Sequence, residues 1–571
     1  MALHALAGRA GNPLCDVLDA PGVTRESRAL AGRLGSAHAY NSPSAPGKPM
    51  NELFMFADRR STPAFWLGSL FVVIGVLLHL PMFIMARSMN YQLAGMPMGA
   101  GMLWGMAFII GGAAAAAYGL QPKKASTSPM AAHERIVAPE DAPLTIWHWG
   151  AGAALAAALA IDIMKPASLG FVVPGMRVEY GIGSAKAALL PFVALCGTAL
   201  GSFVWGALAD LYGRRATILV SAVMFIGTSI CGAMPSFDWN LFMCFLMGIS
   251  AGGMLPVAYA LLAEIMPTRH RGWSLVVVGG IGALGGYLAA SGLSALLQPV
   301  FGWRIMWFLN LPSGLILIAL SPLIPESARF LVHIGRPEEA RATLARFGSV
   351  VISETPDWDE EAKLDHSHLP PTDRRYLGTT FALTVVALSW GFVNFGLLLW
   401  LPAELIAEGR NMGAAAGILA RAAFVAVPVV AVAALLYSRW STKGALLVMT
   451  AVTAMGLLAL MLRQAGVAAA SNPAIALTLL IVGSTGVISI LLPYAAESYP
   501  LRIRGRATGW VAGCSKSGGL ICQALSVFTL VPAIGAASIE IIIPVLLGLS
   551  LVAVYGHETR GRDLRALERA G

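Results

Sequence analysis

The sequence predicts an all-α integral membrane protein, built as two six-helix bundles preceded by two additional N-terminal transmembrane helices, about 14 spans in total. Three observations support this fold class. The chain is 57% hydrophobic and only 12% charged, whereas soluble domains carry roughly 25% charged residues. Apolar runs long enough to cross about 30 Å of hydrocarbon follow one another along the sequence. The pattern E-x-x-P-x-R-x-R-G occurs at 264–272 and again at 497–505, which indicates an internal duplication.

The chain divides into six segments. Residues 1–60 are rich in Ala, Gly, Ser, Pro and Arg, so we expect a disordered cytoplasmic segment, with Met50 as an alternative start. A two-helix membrane module and linker follow at 61–144, with apolar runs at 64–85 and 97–119. We then expect a six-helix bundle at 145–325, a cytoplasmic central loop at 326–378, a second bundle at 379–556 and a cytoplasmic tail at 557–571. Spans 1–12 of the two bundles are predicted at 147–174, 187–209, 216–235, 239–263, 273–297, 304–324, 379–402, 414–437, 444–463, 474–496, 506–530 and 535–555.

The basic residues are concentrated in alternate loops. These loops lie near 214–215, 269–271, 329–346, 374–375, 439–443, 502–506 and 560–565, and the loops between them are short and poor in Lys and Arg. Because basic loops stay in the cytoplasm, both termini and the central loop are expected on the cytoplasmic side of an inner membrane. We call this side of the molecule the basic face. The net charge of +9 therefore reflects membrane orientation and not nucleic-acid binding.

The loop after span 2 carries the most specific motif, Gly-Ala-Leu-Ala-Asp-Leu-Tyr-Gly-Arg-Arg at 206–215. It is similar to the signature G-x-L-x-D-R-x-G-R-[RK] of the major facilitator superfamily, from which Leu211 departs. The phrases at 264–272, 325–329, 497–505 and 558–564 resemble the sugar-porter and organic-ion-porter branch of that family. The resemblance covers about 145–565 and implies two bundles that rock about a central site.

The resemblance also implies a charge network that forms a cytoplasmic gate. Its expected members are Gly206, Asp210, Gly213, Arg214, Arg215, Glu264, Arg269, Arg271, Glu326, Arg329, Glu497, Arg502 and Arg504. The two glycines would permit close helix approach and a sharp turn, and the acidic residues would pair with the arginines. The alternative is that these charges only anchor the topology.

Three charged residues fall within apolar spans, where a charge is costly and therefore a functional candidate. Asp162 and Lys165 of span 1 lie three residues apart, hence on nearly the same helix face. The favoured interpretation is a proton or substrate site facing a central cavity. The alternatives are a structural ion pair, or a Lys165 side chain that extends outward to the membrane surface. Lys516 of span 11 has no acidic neighbour on its own helix. With Lys165 it would favour an anion; alternatively it pairs with an acid from another helix.

The resemblance implies that spans 1, 4, 7 and 10 line the cavity. Trp390 and Asn394 of span 7 and Tyr494 of span 10 are therefore candidate substrate contacts, with simple packing as the alternative. The family often has an arginine in span 4, four residues before a glycine, that is linked with proton coupling. Here Cys244 occupies that place before Gly248, which weakens the inference of proton coupling.

Other classes of site receive less support. The N-terminal pair contains His79 and several methionines, which suit soft metals but are also common membrane fillers, so no metal site is assigned. Five of the six cysteines lie within apolar spans and no C-x-x-C pair occurs, which favours packing. The sequence has no P-loop and no H-E-x-x-H or G-x-S-x-G motif in a suitable context. We therefore expect neither an enzyme nor an ATP-driven pump.

We expect a monomeric secondary active transporter that moves a small organic solute by alternating access, with no cofactor. Proton-coupled uptake of an organic anion, aromatic carboxylates included, is the favoured form. Drug or metabolite efflux and sugar uptake are alternatives on the same fold. A transporter-like solute sensor and a metal-handling protein are alternatives from other classes.

Overall fold

The computed structural model describes residues 61–122, 134–137, 143–348, 350–353, 376–467, 472–499, 501–530 and 534–560. The segment expected to be disordered, 1–60, and most of the expected tail lie outside these residues. Within the described residues, twelve helices are long and apolar enough to cross a membrane. The chain is thus a multi-pass membrane protein of the all-α class.

Helices occupy every position at which the sequence predicts a span of the first bundle. Span 1 is Ile146–Tyr180, span 2 Ser184–Tyr212, span 3 Arg214–Gly227 with the 3-10 turn Thr228–Ala233, span 4 Phe237–Ala251 and Met254–Ile265, span 5 Thr268–Phe301, and span 6 Ile305–Phe308, Asn310–Ala319 and Ser321–Leu323.

The second bundle also matches its predicted spans. Span 7 is Leu377–Gly391, the π-helical turn Phe392–Leu397 and Leu398–Ala407, span 8 Met412–Val425, Val427–Leu435 and the π-helical turn Leu436–Trp440, span 9 Thr442–Gln464, span 10 Pro473–Ser498, span 11 Leu501–Val527 and span 12 Ile534–Tyr555.

Two predicted spans are helical but are absent from the set of twelve apolar helices in the described part of the chain. Span 6 breaks into short pieces, so it counts only as a shorter apolar helix over Ile305–Ala319. Span 11 is long, but Lys516 and a run of Gly and Ser residues keep its mean hydropathy low. The unusual polarity of span 11 already marks it as a candidate for function.

The two N-terminal helices, Ser61–Leu77 and Ala100–Gly119, pack against each other through glycines. A Cβ on Gly68 would lie 2.5 Å from the carbonyl oxygen of Gly112, and one on Gly75 would lie 2.5 Å from that of Gly105. Small residues permit such close backbone contact in membranes. His79 is buried at this interface, and its Nδ1 donates to the Gly75 carbonyl oxygen over 2.8 Å. These contacts agree with a packing role for this histidine.

The connection between the N-terminal helices is fixed to the first bundle by a buried ion pair. Glu179 near the end of span 1 lies 2.7 Å from an Nη2 of Arg304, and both side chains are almost fully buried. Glu179 also accepts hydrogen bonds from the backbone N–H groups of Leu93 (2.6 Å) and Ala94 (3.0 Å) and from the Trp303 indole (2.8 Å). The N-terminal helices therefore form one packed unit with spans 1, 3 and 6.

The expected central loop is partly ordered. It contains the helices Ala328–His333 and Pro337–Arg346, and the strand Val350–Ser353, which pairs antiparallel with Glu134–Val137 of the linker. This two-stranded ladder is an addition to the predicted all-helical class. The Thr145 hydroxyl donates to the carbonyl oxygen of Arg346 (3.2 Å), which holds the loop against the start of span 1.

The two bundles meet along four helix pairs: span 5 with span 8, span 2 with span 11, span 5 with span 10, and span 1 with span 7. A Cβ on Gly170 of span 1 would lie 2.8 Å from the carbonyl oxygen of Leu399 of span 7. A Cβ on Gly280 of span 5 would lie 2.7 Å from Val430 of span 8. These close contacts bring the charged groups of spans 1 and 11 together between the bundles.

Candidate functional site

Span 4 is interrupted at Gly252 and Gly253, between its two helical pieces. Any side chain at either glycine would collide with span 2, since a Cβ would overlap Thr198 or Trp205. A break frees helix carbonyl groups, which need other donors. Trp205 Nε1 donates to the Ile249 carbonyl oxygen (2.5 Å) and the Ser202 hydroxyl donates to the Gly252 carbonyl oxygen (2.8 Å).

Lys516 reaches this break from the other bundle. Its Nζ donates to the hydroxyl oxygen of Ser202 over 2.8 Å and to the carbonyl oxygen of Gly252 over 3.1 Å. Ser202 lies on span 2 and Gly252 on span 4, whereas Lys516 belongs to span 11. The lysine therefore links the two bundles at the middle of the molecule.

The buried carboxylate nearest in charge to this lysine is that of Asp162, on span 1. The aspartate is 7% exposed, and it interacts electrostatically with both Lys516 and Lys165. Its Oδ1 and the Nζ of Lys165 have no hydrogen-bond partner among the described residues. The ammonium of Lys165 instead lies 2.9 Å from the ring centroid of Phe225 on span 3, a cation–π contact. Lys516 thus interacts electrostatically with an acid on another helix, while its hydrogen bonds go to Ser202 and Gly252.

Span 7 carries a π-helical turn, Phe392–Leu397, at the level of span 11. Such turns frequently mark functional sites. Here Gln523 Nε2 of span 11 donates to the carbonyl oxygen of Phe395 (2.5 Å). Asn394 lies half-buried within this turn, and Trp390 Nε1 donates to the Ser484 carbonyl oxygen of span 10 (2.8 Å). Trp390 and Asn394 therefore lie on the part of span 7 that contacts spans 10 and 11.

Tyr494 contacts the segment that follows span 12. Its hydroxyl donates to the carbonyl oxygen of His557 (2.7 Å), just after the end of span 12. The side chain therefore holds the start of the tail against the second bundle. This contact near the basic end of span 10 favours the alternative of packing over substrate contact for Tyr494.

At the basic face, Gly213 makes the turn between spans 2 and 3. Its φ is +96°, and a Cβ there would lie 2.6 Å from Oε2 of Glu326, so glycine is required for two reasons. The Glu326 carboxylate accepts from the backbone N–H groups of Arg214 (2.7 Å), Arg215 (3.3 Å) and Ser327 (2.9 Å). Burial raises the pKa of Glu326 above its ordinary value, although these hydrogen bonds and the charge of Arg215 oppose the rise.

Arg214 connects two acids of the expected gate. Its Nη2 lies 3.5 Å from Asp210 and 3.5 Å from Glu264. Glu264 also accepts a short hydrogen bond from the Ser327 hydroxyl. The carboxylate of Asp210 is largely exposed, so Glu264 provides the more sheltered of the two ion pairs.

The second bundle repeats this arrangement with different side chains. Glu497 accepts from the Thr559 hydroxyl (2.8 Å) and the Tyr437 hydroxyl (2.6 Å). Glu558 accepts from the backbone N–H of Thr442 (3.0 Å) and from the Ser441 hydroxyl. Partial burial opposes ionisation of Glu558, but its hydrogen bonds together lower its pKa to about 2.

The two copies of the network use equivalent positions. Glu326 and Glu558 accept hydrogen bonds from backbone N–H groups at the first turn of span 3 and of span 9. The hydroxyl of the next residue, Ser327 or Thr559, donates to the glutamate of the repeated phrase. Ser327 and Thr559 were missed in the sequence, although each directly follows a glutamate that the motifs single out. A Cβ on Gly272 of span 5 would lie 3.1 Å from Oε1 of Glu497. This is where the two networks approach each other across the bundle interface.

Several expected gate residues have other positions. A Cβ on Gly206 would meet nothing, so the prediction of a close helix approach there is wrong for this conformation. Arg269 is exposed at the start of span 5, and Arg271 Nη2 donates to the Met266 carbonyl oxygen over 3.4 Å. The side chains of Arg329, Arg502 and Arg504 lie outside the described residues.

Comparisons with known proteins agree with this geometry. The family model "Major Facilitator Superfamily" matches residues 151–523, which excludes the N-terminal helices. The niacin transporter NiaP of Acinetobacter baylyi is 24% identical over 413 residues, covering 71% of this chain and 93% of its own. The 4-hydroxybenzoate transporter PcaK of the same species is 27% identical over 410 residues, covering 66% and 84%. The xylose transporter XylE of E. coli, in a partially occluded inward-open conformation, superimposes with a TM-score of 0.59 at 14% identity, covering 73% of this chain and 100% of its own.

Proposed function

The chain belongs to the major facilitator superfamily, and on that premise we propose that it is a proton-coupled importer of an organic anion. Aromatic carboxylates are the favoured substrate class. The family and fold make it a secondary transporter and not an enzyme. The observation that carries the finer proposal is that Lys516 reaches across the bundle interface to Ser202 and Gly252, where its charge acts on buried Asp162.

The charge of the central cluster favours an anion. Two lysines and one aspartate interact there, so the cluster carries one more positive than negative charge when all three are ionised. Buried charge that is not balanced is costly, and a bound carboxylate supplies the missing negative charge. Two relatives are named for niacin and 4-hydroxybenzoate, and both compounds are aromatic carboxylic acids.

Asp162 is the group we assign to the proton. It is buried within span 1, and its Oδ1 lacks a hydrogen-bond partner among the described residues, so a proton has an acceptor there. Protonation removes the negative charge of Asp162 and so weakens its attraction for Lys516. Trp390 and Asn394 of span 7 are proposed to contact the substrate ring, since a half-buried amide and an indole suit an aromatic ligand.

The basic face is proposed to be cytoplasmic, with both termini on that side of an inner membrane. The networks around Glu264 and Glu497 would then brace the cytoplasmic gate of a monomeric transporter. Sugar uptake, efflux and solute sensing remain the competing functions. Two lysines that act on a single buried aspartate favour an anion over a neutral sugar.

The proton assignment is tested by uptake into proteoliposomes driven by an imposed pH gradient. Asp162→Asn should abolish gradient-driven accumulation while solute exchange persists, because exchange needs no net proton movement. Asp238→Asn is the matched control, since Asp238 is an exposed aspartate in the first turn of span 4. Full accumulation by the Asp162 variant would exclude the proton role.

The substrate class is tested with a neutral and an anionic form of the same ring. Thermal shifts of the purified protein should be larger with nicotinate than with nicotinamide, and Lys516→Ala should remove most of the difference. Equal shifts with both compounds, before and after the substitution, would argue against an anion site at this lysine. A parallel screen with sugars and organic cations separates the competing functions.

A further inference from the structure

The ammonium group of Lys516 donates hydrogen bonds to the opposite bundle. Of its three donors, one goes to the Ser202 hydroxyl and one to the Gly252 carbonyl oxygen. The Gly252 carbonyl is available because span 4 is broken there. Separation of span 11 from spans 2 and 4 must break both bonds, and it must also carry a positive charge away from Asp162.

Lys165 behaves differently. It is on the same helix as Asp162, and its ammonium packs on Phe225 of span 3. All three residues belong to the first bundle, so a relative movement of the bundles leaves this cation in place. Asp162 therefore interacts with one constant and one movable positive charge.

The charged side chains whose charges act on Asp162 are Lys516 and Lys165. Glu179 and Arg304, which are buried near the end of span 1, pair with each other. The other titratable residues buried against this region are cysteines and a tyrosine: Cys231, Cys244 and Tyr287. The movable charge at Asp162 is thus that of Lys516 alone within this part of the chain.

We propose that Lys516 is the residue that couples the protonation of Asp162 to the position of the bundles, with the break in span 4 as its docking site. This inference rests on the proposed proton coupling. Ionised Asp162 attracts Lys516 and stabilises the docked lysine, so spans 2 and 11 stay together. Protonated Asp162 loses that attraction, and the lysine is held by Ser202 and Gly252 only. By reciprocity, separation of the spans favours protonation of Asp162.

The docking site lies near the middle of both spans. Ser202 is closer to Tyr212 than to Ser184 on span 2, whereas Lys516 is closer to Val527 than to Leu501 on span 11. Release of Lys516 therefore leaves spans 2 and 11 free to separate.

The test is a distance measurement between the ends of spans 2 and 11 at the basic face. Spin labels are placed at Leu211→Cys and Gly509→Cys in a full-length chain whose native cysteines are replaced by alanine. Leu211 is 65% exposed, and a Cβ at Gly509 meets no atom, so the labels disturb little. Acidification should shift the population toward the longer distance by about tenfold, the effect of roughly one unit in proton affinity.

The variants separate coupling from a structural role. Asp162→Asn should show the longer distance at both acidic and alkaline pH. Lys516→Gln should abolish the pH response, whereas Lys516→Arg, which keeps the charge, should restore it. If the distance in Lys516→Gln responds to pH as it does in the parent, the proposal is overturned. If the lysine variants do not fold, a pH response of Asp162→Asn equal to that of the parent overturns it instead.

This experiment needs neither substrate nor a proton gradient. Its result can therefore contradict the role of Lys516 without contradicting the proposed function. Gradient-driven uptake together with a distance that ignores Lys516 would overturn the coupling role alone. Uptake that ignores the pH gradient would overturn the proposed function.

Discussion

Gly213 should be the least replaceable glycine of the loop between spans 2 and 3. Its φ of +96° and ψ of 160° lie in a region that is essentially restricted to glycine, and a residue with a Cβ there costs about 1–3 kcal/mol. The Cβ of Gly213→Ala would also displace Glu326, whose Oε2 lies 2.6 Å away. Loss of a backbone hydrogen bond to that carboxylate adds about 1–3 kcal/mol.

The combined destabilisation is therefore about 2–6 kcal/mol. Gly206→Ala is the matched control in the same motif, because its Cβ meets no atom and its position is helical. There alanine should be neutral or stabilising by up to about 1 kcal/mol, since alanine favours helix over glycine.

The assay is thermal unfolding of the three purified proteins in one detergent. We expect the order Gly206→Ala at or above the parent and Gly213→Ala well below both. If Gly213→Ala unfolds at the same temperature as Gly206→Ala, then the turn does not require glycine and the hydrogen bonds accepted by Glu326 do not stabilise it.

Two further predictions concern the N-terminal helices and the tail. Gly112→Leu should separate the N-terminal helix pair, because its Cβ would lie 2.5 Å from the Gly68 carbonyl oxygen, whereas a Cβ at Gly111, the control, meets no atom. Hydrogen exchange of residues 61–119 should therefore rise in Gly112→Leu and not in Gly111→Leu. Equal exchange in the two variants would contradict this packing. Glu558→Gln should destabilise the protein by about 1 kcal/mol at neutral pH, a value reduced for solvent screening. Since the pKa of Glu558 is lowered to about 2, its stabilisation is complete above the ordinary glutamate range and is lost as the pH falls toward about 2. Unfolding midpoints of variant and parent should converge on acidification; a constant difference would contradict this.

The sequence was sufficient for the spans because apolar length and loop charge determine them almost alone. It also identified the repeated phrases, and Glu264 and Glu497 indeed bond to equivalent hydroxyls, those of Ser327 and Thr559. Those hydroxyls were missed because a Ser or Thr beside a glutamate has no distinctive pattern.

The central site was only partly predictable. Burial singled out Asp162, Lys165 and Lys516, but which lysine approaches from which bundle depends on tertiary packing. The docking of Lys516 required the break at Gly252, and a glycine pair within an apolar span is equally compatible with an unbroken helix. The contact of Tyr494 with the carbonyl oxygen of His557 also depends on tertiary packing, because residue type does not encode depth along a helix.

The measurement that matters most follows protons and solute together. Proteoliposomes containing a trapped pH indicator receive the carboxylate that gives the largest thermal shift, with no pH gradient imposed. If the chain is a proton-coupled anion importer, the lumen should acidify as the solute enters, and Asp162→Asn should abolish the acidification. Entry of the solute without any change in luminal pH, in the unaltered protein, would contradict this function.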